Sequence, residues 1–211
     1  MSVSSSVKIR KIVANLADLF GEIPWWPGDT DEVMIGAVLT QQTRWENVER
    51  ALSRMKDEDL ATMSAIYRTE PKKIEKTVRC TGFYRIKTRR LKSLALHVME
   101  SYGGVEKMSE MPMDTLRAGL LSVPGIGEET ADSILCYGFS LTSFVIDAYT
   151  ERIVRCAGIT EERSALKGLF EKNLKTDPWV FRQTHAHIVE YAKRFCAKKR
   201  CGECQIATLN G

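Results

Sequence analysis

The sequence predicts an all-α protein, and two observations support this fold class. Apolar residues recur at the three- and four-residue spacing of amphipathic helices along most of the 211 residues, whereas alternating runs of Val, Ile and Thr are nowhere convincing. Most of the 6 prolines and 14 glycines fall between these periodic segments, where they end helices. With 44% apolar residues, the chain is long enough to bury one substantial core or two smaller ones.

Each periodic segment is predicted to form one helix. The first is predicted over residues 6–20, because a run of serines can cap its start and Gly21 can end it. A long helix over residues 86–102 ends before Gly103 and Gly104. The remaining helices are predicted over residues 32–42, 45–55, 115–121, 128–139, 148–157, 162–173 and 178–195.

Charge and composition exclude several classes of protein. Lys and Arg number 31 against 27 Asp and Glu, and the formal charge of +4 permits an anionic partner without requiring one. No secretory apolar segment precedes Lys8, Arg10 and Lys11, and the longest apolar runs, such as residues 34–39, are too short to cross a bilayer. We therefore expect an intracellular protein, cytoplasmic or nucleoid-associated, without a membrane partner.

The most informative segment is a short turn between two predicted helices, followed by an aspartate. Gly125 and Gly127 allow a close approach of the backbone, and the helix that begins at Glu128 can hold a phosphate oxygen at its N-terminus. Such a turn alone more often only connects helices. Asp147, twenty residues after Gly127, is equally suited to cap the next helix, so the pair is more informative than either part.

Four segments together resemble the endonuclease III superfamily of DNA glycosylases. The run LSVPGIGEETAD at residues 121–132, followed by VID at residues 145–147, is similar to the helix-hairpin-helix and Gly/Pro-rich Asp motif of that family. LTQQT at residues 39–43 and GFYRIK at residues 82–87 are similar to two further family segments. The resemblance extends from about Trp25 to Cys204. It implies an enzyme that bends the duplex, flips one nucleotide out and cuts the bond between its base and sugar.

The resemblance also implies roles for individual residues. Asp147 is the expected catalytic residue, because a fixed carboxylate stabilises an oxocarbenium-like sugar or activates water. Gln42 corresponds to the residue that fills the gap left by the flipped nucleotide, although by itself it reads as an exposed amide at a helix end. The residues expected to contact DNA are Gln42, Pro124, Gly125, Ile126, Gly127 and Thr130.

Two departures from the family pattern indicate a branch. Glu129 stands where bifunctional members carry a lysine, and a carboxylate cannot form a Schiff base, so AP-lyase activity is not expected. Glu129 and the run PWWP at residues 24–27 resemble the 3-methyladenine glycosylase branch, whose cationic substrates suit electron-rich rings. We expect at least one tryptophan to pack in the core. The residues assigned to the base pocket are Trp25, Trp26, Trp45 and Glu129.

The resulting expectation is a monofunctional glycosylase that removes an alkylated purine such as 3-methyladenine. Its expected partner is double-stranded DNA containing a damaged base, and we expect it to act as a monomer. Two alternatives remain: a glycosylase for oxidised, deaminated or mismatched pyrimidines, and a non-catalytic DNA-binding module.

We expect two helical domains with the flipped base in the cleft between them. Residues 24–140 would form a six-helix, barrel-like domain that ends in the hairpin. Residues 1–23 and 141–211 would form the second domain, which carries Asp147 and the C-terminal cysteines.

The C-terminal cysteines depart from the iron–sulfur motif that the family resemblance implies. The family spacing is C-x6-C-x2-C-x5-C, whereas this chain has Cys196-x4-Cys201-x2-Cys204-x5-Asn210. An incomplete iron–sulfur cluster, a zinc site with another ligand and a metal-free relic are the three interpretations. We favour the relic, and so expect no cofactor, because three thiolates at altered spacing hold a metal poorly. The other cysteines, Cys80, Cys136 and Cys156, are expected to be buried packing residues.

Basic residues form two groups, each of which is interpreted either as a phosphate track or as a solvated helix face. The first group is Arg85, Lys87, Arg89, Arg90 and Lys92, and the second is Lys193, Arg194, Lys198, Lys199 and Arg200.

Overall fold

The computed structural model describes residues 4–24, 26 and 28–206. It contains helices and no strand within those residues, which confirms the all-α prediction. The chain divides into a continuous unit, Trp26–Leu141, and a discontinuous unit, Met1–Trp25 with Thr142–Gly211. The α-helices are α1 Ser5–Phe20, α2 Thr30–Leu39, α3 Trp45–Asp57, α4 Met63–Arg68, α5 Pro71–Thr77, α6 Tyr84–His97, α7 Val105–Met108, α8 Met113–Ser122, α9 Glu128–Ser133, α10 Ala148–Cys156, α11 Arg163–Asn173 and α12 Pro178–Tyr191.

Several predicted helices end differently in the structure. The helices predicted over residues 86–102, 128–139 and 178–195 finish in π-helical turns, which follow α6, α9 and α12 at Val98–Tyr102, Ile134–Gly138 and Ala192–Cys196. Short 3₁₀ turns span Arg79–Thr81 and Cys201–Glu203. Helices α4, α5 and α7 were not predicted, because four to seven residues are too few to show a helical period.

The continuous unit is built around α2. Every residue from Val33 to Leu39 is buried, and a helix that is apolar on all sides belongs in the middle of a core. Helices α3, α6 and α9 pack around it. Asp29 caps its start by accepting a hydrogen bond from the Glu32 amide (2.8 Å).

Helix α2 ends three residues earlier than the helix predicted over residues 32–42. The helix ends at Leu39. The Thr40 hydroxyl donates a hydrogen bond to the Gly36 carbonyl (2.7 Å), so this carbonyl is not bonded by the helix backbone alone. Gln42 then adopts a left-handed backbone with φ of +55°. The segment that contains Gln42 is therefore a turn and not a helix end.

The discontinuous unit packs α1 against α11 and α12. Gln183 on α12 ties down the segment after α1, because its side chain accepts from the Ile23 amide (2.9 Å) and donates to the Ile23 carbonyl (2.8 Å). Phe144 stacks on Phe170 with ring centroids 4.3 Å apart, directly before the segment that carries Asp147. None of the described helices is both long and apolar enough to cross a membrane.

Candidate functional site

The predicted hairpin joins α8 to α9 in the continuous unit. The Ile126 amide donates to the Val123 carbonyl (3.0 Å), and Gly127 lies in extended backbone directly before Glu128, the first residue of α9. Gly125 has a φ of +88°, which residues with a side chain rarely adopt. The first amides of a helix have no partner within that helix, so the exposed hairpin can offer N–H groups to an anion.

Two residues assigned to DNA binding are buried in this hairpin. Ile126 is 5% exposed and packs in the core of the continuous unit. The Thr130 hydroxyl, also buried, accepts a hydrogen bond from Nε2 of Gln41 (3.1 Å). Pro124 is exposed, as are both hairpin glycines. The side chains of Ile126 and Thr130 therefore serve the fold of this unit.

Gln41 belongs to the LTQQT segment, although the sequence predicts no role for it, and it connects the turn after α2 to the hairpin. Its Nε2 also donates to the Gly125 carbonyl (3.2 Å), and Nη1 of Arg90 donates to its Oε1. The next residue, Gln42, is exposed in its left-handed conformation. Such strained positions cluster at functional sites, because the surrounding structure must hold them in place. The hairpin thus supports the turn that presents Gln42.

An aromatic cluster occupies the start of the continuous unit. Trp26 meets Trp45 edge-on with ring centroids 5.1 Å apart, and it stacks on Tyr137 at 5.7 Å. Both tryptophans are half-buried, and the buried Nε1 of Trp26 has no hydrogen-bond acceptor among the described residues. Trp25, like Pro27, lies outside the described residues. Glu129 is exposed in the first turn of α9, where a carboxylate interacts favourably with the positive end of the helix dipole.

Gly36 on α2 makes room for this cluster, and replacing it is expected to disturb Trp26. A Cβ at position 36 would lie 2.5 Å from Cζ2 of Trp26, closer than two carbons can pack. Gly36→Ala should therefore destabilise the protein by about 1–3 kcal/mol and change its tryptophan fluorescence. Urea unfolding and emission spectra measure both effects.

Gly168 provides the matched control, because it also lies inside a helix but has nothing within 4 Å of an added Cβ. Gly168→Ala should be neutral or stabilising by up to about 1 kcal/mol. Equal stabilities for the two variants would contradict the close contact between Gly36 and Trp26.

Asp147 caps α10 in the discontinuous unit, which is one of the two roles that the sequence suggests for it. Its Oδ1 accepts hydrogen bonds from the amide (2.7 Å) and the hydroxyl (2.8 Å) of Thr150. Its Oδ2 lies 3.5 Å from Nε2 of His185 on α12. The capping role therefore uses one carboxylate oxygen, and the second oxygen faces a histidine that the sequence did not indicate.

The surroundings of Asp147 keep its carboxyl group ionised. Burial to 8% exposure would raise the pKa, but the nearby His185 side chain and the hydrogen bonds from Thr150 hold the pKa of Asp147 below its ordinary value of 3.8. A buried carboxylate that stays charged near neutral pH can stabilise a positive charge that develops beside it.

Phe83 belongs to the GFYRIK segment, and the sequence predicts no role for its side chain. It is 61% exposed and has a φ of +45° at the start of α6. It lines a shallow surface depression of about 440 Å³ together with Tyr84, Arg85, Ile86 and Arg89. A large exposed aromatic group beside two arginines is typical of a nucleic-acid-binding surface.

Only some residues of the first basic group are exposed, so the group does not form one continuous phosphate track. Arg85 and Arg89 are exposed, but Lys87 is buried and donates to the Thr81 carbonyl (2.7 Å). Burial lowers the pKa of Lys87 to about 8. Lys92 donates to the carbonyls of Ile66 and Tyr67 in α4 and to that of Thr69 directly after it, so it caps that helix. In the second group, Lys193, Arg194, Lys198, Lys199 and Arg200 are exposed.

The prediction that Cys80, Cys136 and Cys156 are all buried is wrong for two of them. Cys136 is buried as expected, but Cys80 is half-buried and Cys156 is exposed at the end of α10. No disulfide links the six cysteines. Among the described residues, no three His, Cys, Asp or Glu side chains are gathered as ligands of one metal ion. Asn210 lies outside the described residues.

Two helices joined by a short glycine-containing hairpin, in an all-α fold, define a helix-hairpin-helix protein. Residues 35–176 match the HhH-GPD superfamily of base excision DNA repair proteins, and the chain belongs to that family. It is a base excision repair DNA glycosylase of the endonuclease III superfamily.

Two relatives cover most of the chain. MJ1434 of Methanocaldococcus jannaschii, provisionally named a DNA repair glycosylase, is 44% identical over 205 residues, which are 94% of this chain and 93% of that protein. Endonuclease III of Thermotoga maritima is 30% identical over 180 residues, 83% of this chain and 80% of that protein.

Two solved structures have similar folds. The 3-methyladenine DNA glycosylase MagIII of H. pylori, bound to 1,N6-ethenoadenine, superposes with a TM-score of 0.78 and 30% identity, covering 91% of this chain and 98% of that one. An endonuclease III–DNA complex superposes with a TM-score of 0.81, covering 98% of this chain and 95% of that one, and at 21% identity it shows the fold alone.

Proposed function

We propose that this glycosylase is monofunctional and hydrolyses the bond between sugar and base of an alkylated purine, such as 3-methyladenine, in double-stranded DNA. The observation that carries the proposal is the buried carboxylate of Asp147, whose Oδ1 accepts from Thr150 and whose Oδ2 lies 3.5 Å from Nε2 of His185. It acts as a monomer in this proposal, and the product is an abasic site.

The chemistry of such a substrate fits the groups present. Alkylation at a ring nitrogen makes the base cationic, so it leaves without a strong general acid. The sugar then carries positive charge in the transition state, and the Asp147 carboxylate stabilises that charge or activates the attacking water. Trp26 and Trp45 have electron-rich ring faces, the kind of group that binds a cationic base.

The residue at position 129 is the reason to propose that the enzyme does not cleave the DNA strand. Glu129 occupies the place of the lysine nucleophile of bifunctional family members, and a carboxylate cannot form the Schiff base that precedes β-elimination. The 30% identity to MagIII, whose structure holds 1,N6-ethenoadenine, supports a purine substrate. The 30% identity to the Thermotoga endonuclease III favours a second candidate, a glycosylase for damaged pyrimidines.

Base release from three DNA substrates separates these candidates. Methylated DNA should yield free 3-methyladenine, and the strand should break only after alkaline treatment of the abasic site. Duplexes with thymine glycol or with G·T and G·U pairs should remain intact. Release from the pyrimidine substrates alone would support the second candidate. A covalent adduct trapped by borohydride would overturn the monofunctional assignment, and no release from any substrate would favour a binding module.

A further inference from the structure

Arg90 is a half-buried arginine of α6 that lies against the hairpin between α8 and α9. Its Nη1 donates a hydrogen bond to Oε1 of Gln41. A Cβ added to Gly125 would lie 2.5 Å from Cγ and 2.6 Å from Nε of Arg90, so the arginine side chain passes directly over this exposed glycine. The hairpin residues 123–127 are all uncharged, and α6 therefore provides a positive charge that the hairpin itself does not contain.

Gln41 determines where the guanidinium of Arg90 lies. Nε2 of Gln41 donates to the Gly125 carbonyl (3.2 Å) and to the Thr130 hydroxyl (3.1 Å). These two bonds fix the orientation of the side-chain amide, so its Oε1 faces Arg90. A guanidinium has five N–H donors, and Gln41 is the hydrogen-bond partner of one of them among the described residues. Arg90 is thus held at the hairpin with donors left for another acceptor.

The charge of Arg90 has no carboxylate partner in the part of the chain that the structure describes. Two other half-buried arginines, Arg117 and Arg163, each form an ion pair with a carboxylate. None of the ion pairs among the described residues involves Arg90. A charge that is partly removed from water needs an opposite charge. Arg90 is therefore suited to bind an anion that comes from outside the chain.

We propose that Arg90 binds a backbone phosphate of duplex DNA at the hairpin, and that Gln41 is the positioning residue that holds its guanidinium there. A phosphodiester carries one negative charge, and a guanidinium can donate two parallel hydrogen bonds to its oxygens. This contact rests on the proposed function, because it requires double-stranded DNA as the partner. It adds a charged side chain from α6 to a hairpin that offers only neutral groups.

The glycine at position 125 suits this arrangement for two reasons. Its φ of +88° is rarely adopted by residues with a side chain. In addition, any Cβ there would overlap the aliphatic part of Arg90 and displace the guanidinium from the hairpin. Both Gly125 and the preceding Pro124 are exposed, so a DNA backbone can approach the place where Arg90 lies.

The salt dependence of DNA binding tests the proposal. Each phosphate that a cation neutralises contributes about 0.9 to the slope of log K against log salt concentration, because condensed counterions are released. The full chain is titrated with a short undamaged duplex at several salt concentrations. Arg90→Gln keeps an N–H donor for Gln41 but removes the charge. It should reduce the slope by about 0.9 and the affinity about tenfold at a salt concentration of about 0.1 M.

Two further variants separate the charge of Arg90 from its position. Arg90→Lys keeps the charge, so the slope should stay at the wild-type value although the affinity falls with the loss of the planar fork. Gln41→Ala should also keep the slope, but it should weaken binding about threefold or more because the guanidinium is no longer held.

Arg54→Gln is the matched control. Arg54 is an exposed arginine in the last turn of α3 in the same unit, about 14 Å along that helix from Trp45, where the turn that contains Gln42 leads into α3. Its replacement removes the same charge and should leave the slope unchanged.

Three outcomes would overturn the phosphate contact. These are a wild-type slope for Arg90→Gln, an equal reduction of the slope by Arg54→Gln, or a slope that falls as far in Arg90→Lys as in Arg90→Gln. Circular dichroism checks the folding of each variant. Wild-type affinity of Gln41→Ala would overturn the positioning role even if Arg90→Gln did not fold.

Binding to an undamaged duplex needs no base release, so the two proposals can fail separately. If the variants behave as expected but the wild-type protein releases no base, the phosphate contact stands and the proposed function is wrong. If base release occurs as proposed but the slope of Arg90→Gln equals that of the wild-type protein, only the phosphate contact is wrong.

Discussion

Asp147→Asn should lower the rate of base release at least about 100-fold while DNA affinity stays close to that of the wild-type protein. Asparagine caps helices as well as aspartate does, so α10 should keep its start. What the variant loses is the negative charge, which is needed only when the sugar becomes positive. Single-turnover release of 3-methyladenine and binding to an abasic-site duplex measure the two quantities separately.

Asp177→Asn is the control for this variant. Asp177 caps α12 in the same unit and accepts a hydrogen bond from the Trp179 amide (2.9 Å). Asparagine should keep the helix cap in both variants, but only the change at Asp147 should reduce turnover. Equal activities of the two variants would show that Asp147 is a capping residue and nothing more.

The pH dependence of stability gives a second readout for Asp147. Its pKa is lowered in the folded protein, so the carboxylate contributes stability that is fully present above the unfolded-state pKa of about 3.8 and is lost as pH falls through the folded pKa. Asparagine does not titrate. The loss of stability below about pH 4 should therefore be smaller in Asp147→Asn than in the wild-type protein.

The parts of the fold that could be predicted are those with a local signal. Helix α1 shows several turns of helical period and a glycine at its end, and it was predicted to within one residue. Helix α7, with four residues, shows no period and gains its stability from tertiary packing. The end of α2 depends on the bond from Thr40 to Gly36, which no pattern of apolar residues indicates.

The candidate site depends on contacts between distant parts of the sequence. Motif spacing identified Asp147 and the hairpin, because these residues lie close together in the chain. Tyr137 meets Trp26, and His185 meets Asp147, across separations for which one sequence offers no periodic signal. Cys156 was predicted to be buried because it stands in an apolar helical pattern, but it is exposed at the end of α10.

Arg117→Met should cause a large loss in the free energy of unfolding, because it breaks a buried ion pair in the continuous unit. Arg117 on α8 donates to both carboxylate oxygens of Asp132 on α9 (2.8 and 3.3 Å), and Glu128 lies 3.6 Å away. The Asp132 side chain is only 3% exposed, so the variant leaves a buried charge without its cation. Because a quarter of the arginine side chain reaches solvent, we expect a loss near the lower limit for buried pairs, about 3 kcal/mol.

The same ion pair joins the two helices of the hairpin, so its loss should also weaken DNA binding. Adding Asp132→Asn to Arg117→Met removes the unpaired charge and should recover about half of the lost stability. Lys56→Met is the control, because Lys56 pairs with Glu32 (2.8 Å) in the same unit but is 55% exposed, and its removal should cost no more than about 1 kcal/mol. Urea unfolding of the four proteins provides the measurement. If the double variant is no more stable than Arg117→Met, the buried charge of Asp132 is not what destabilises the single variant.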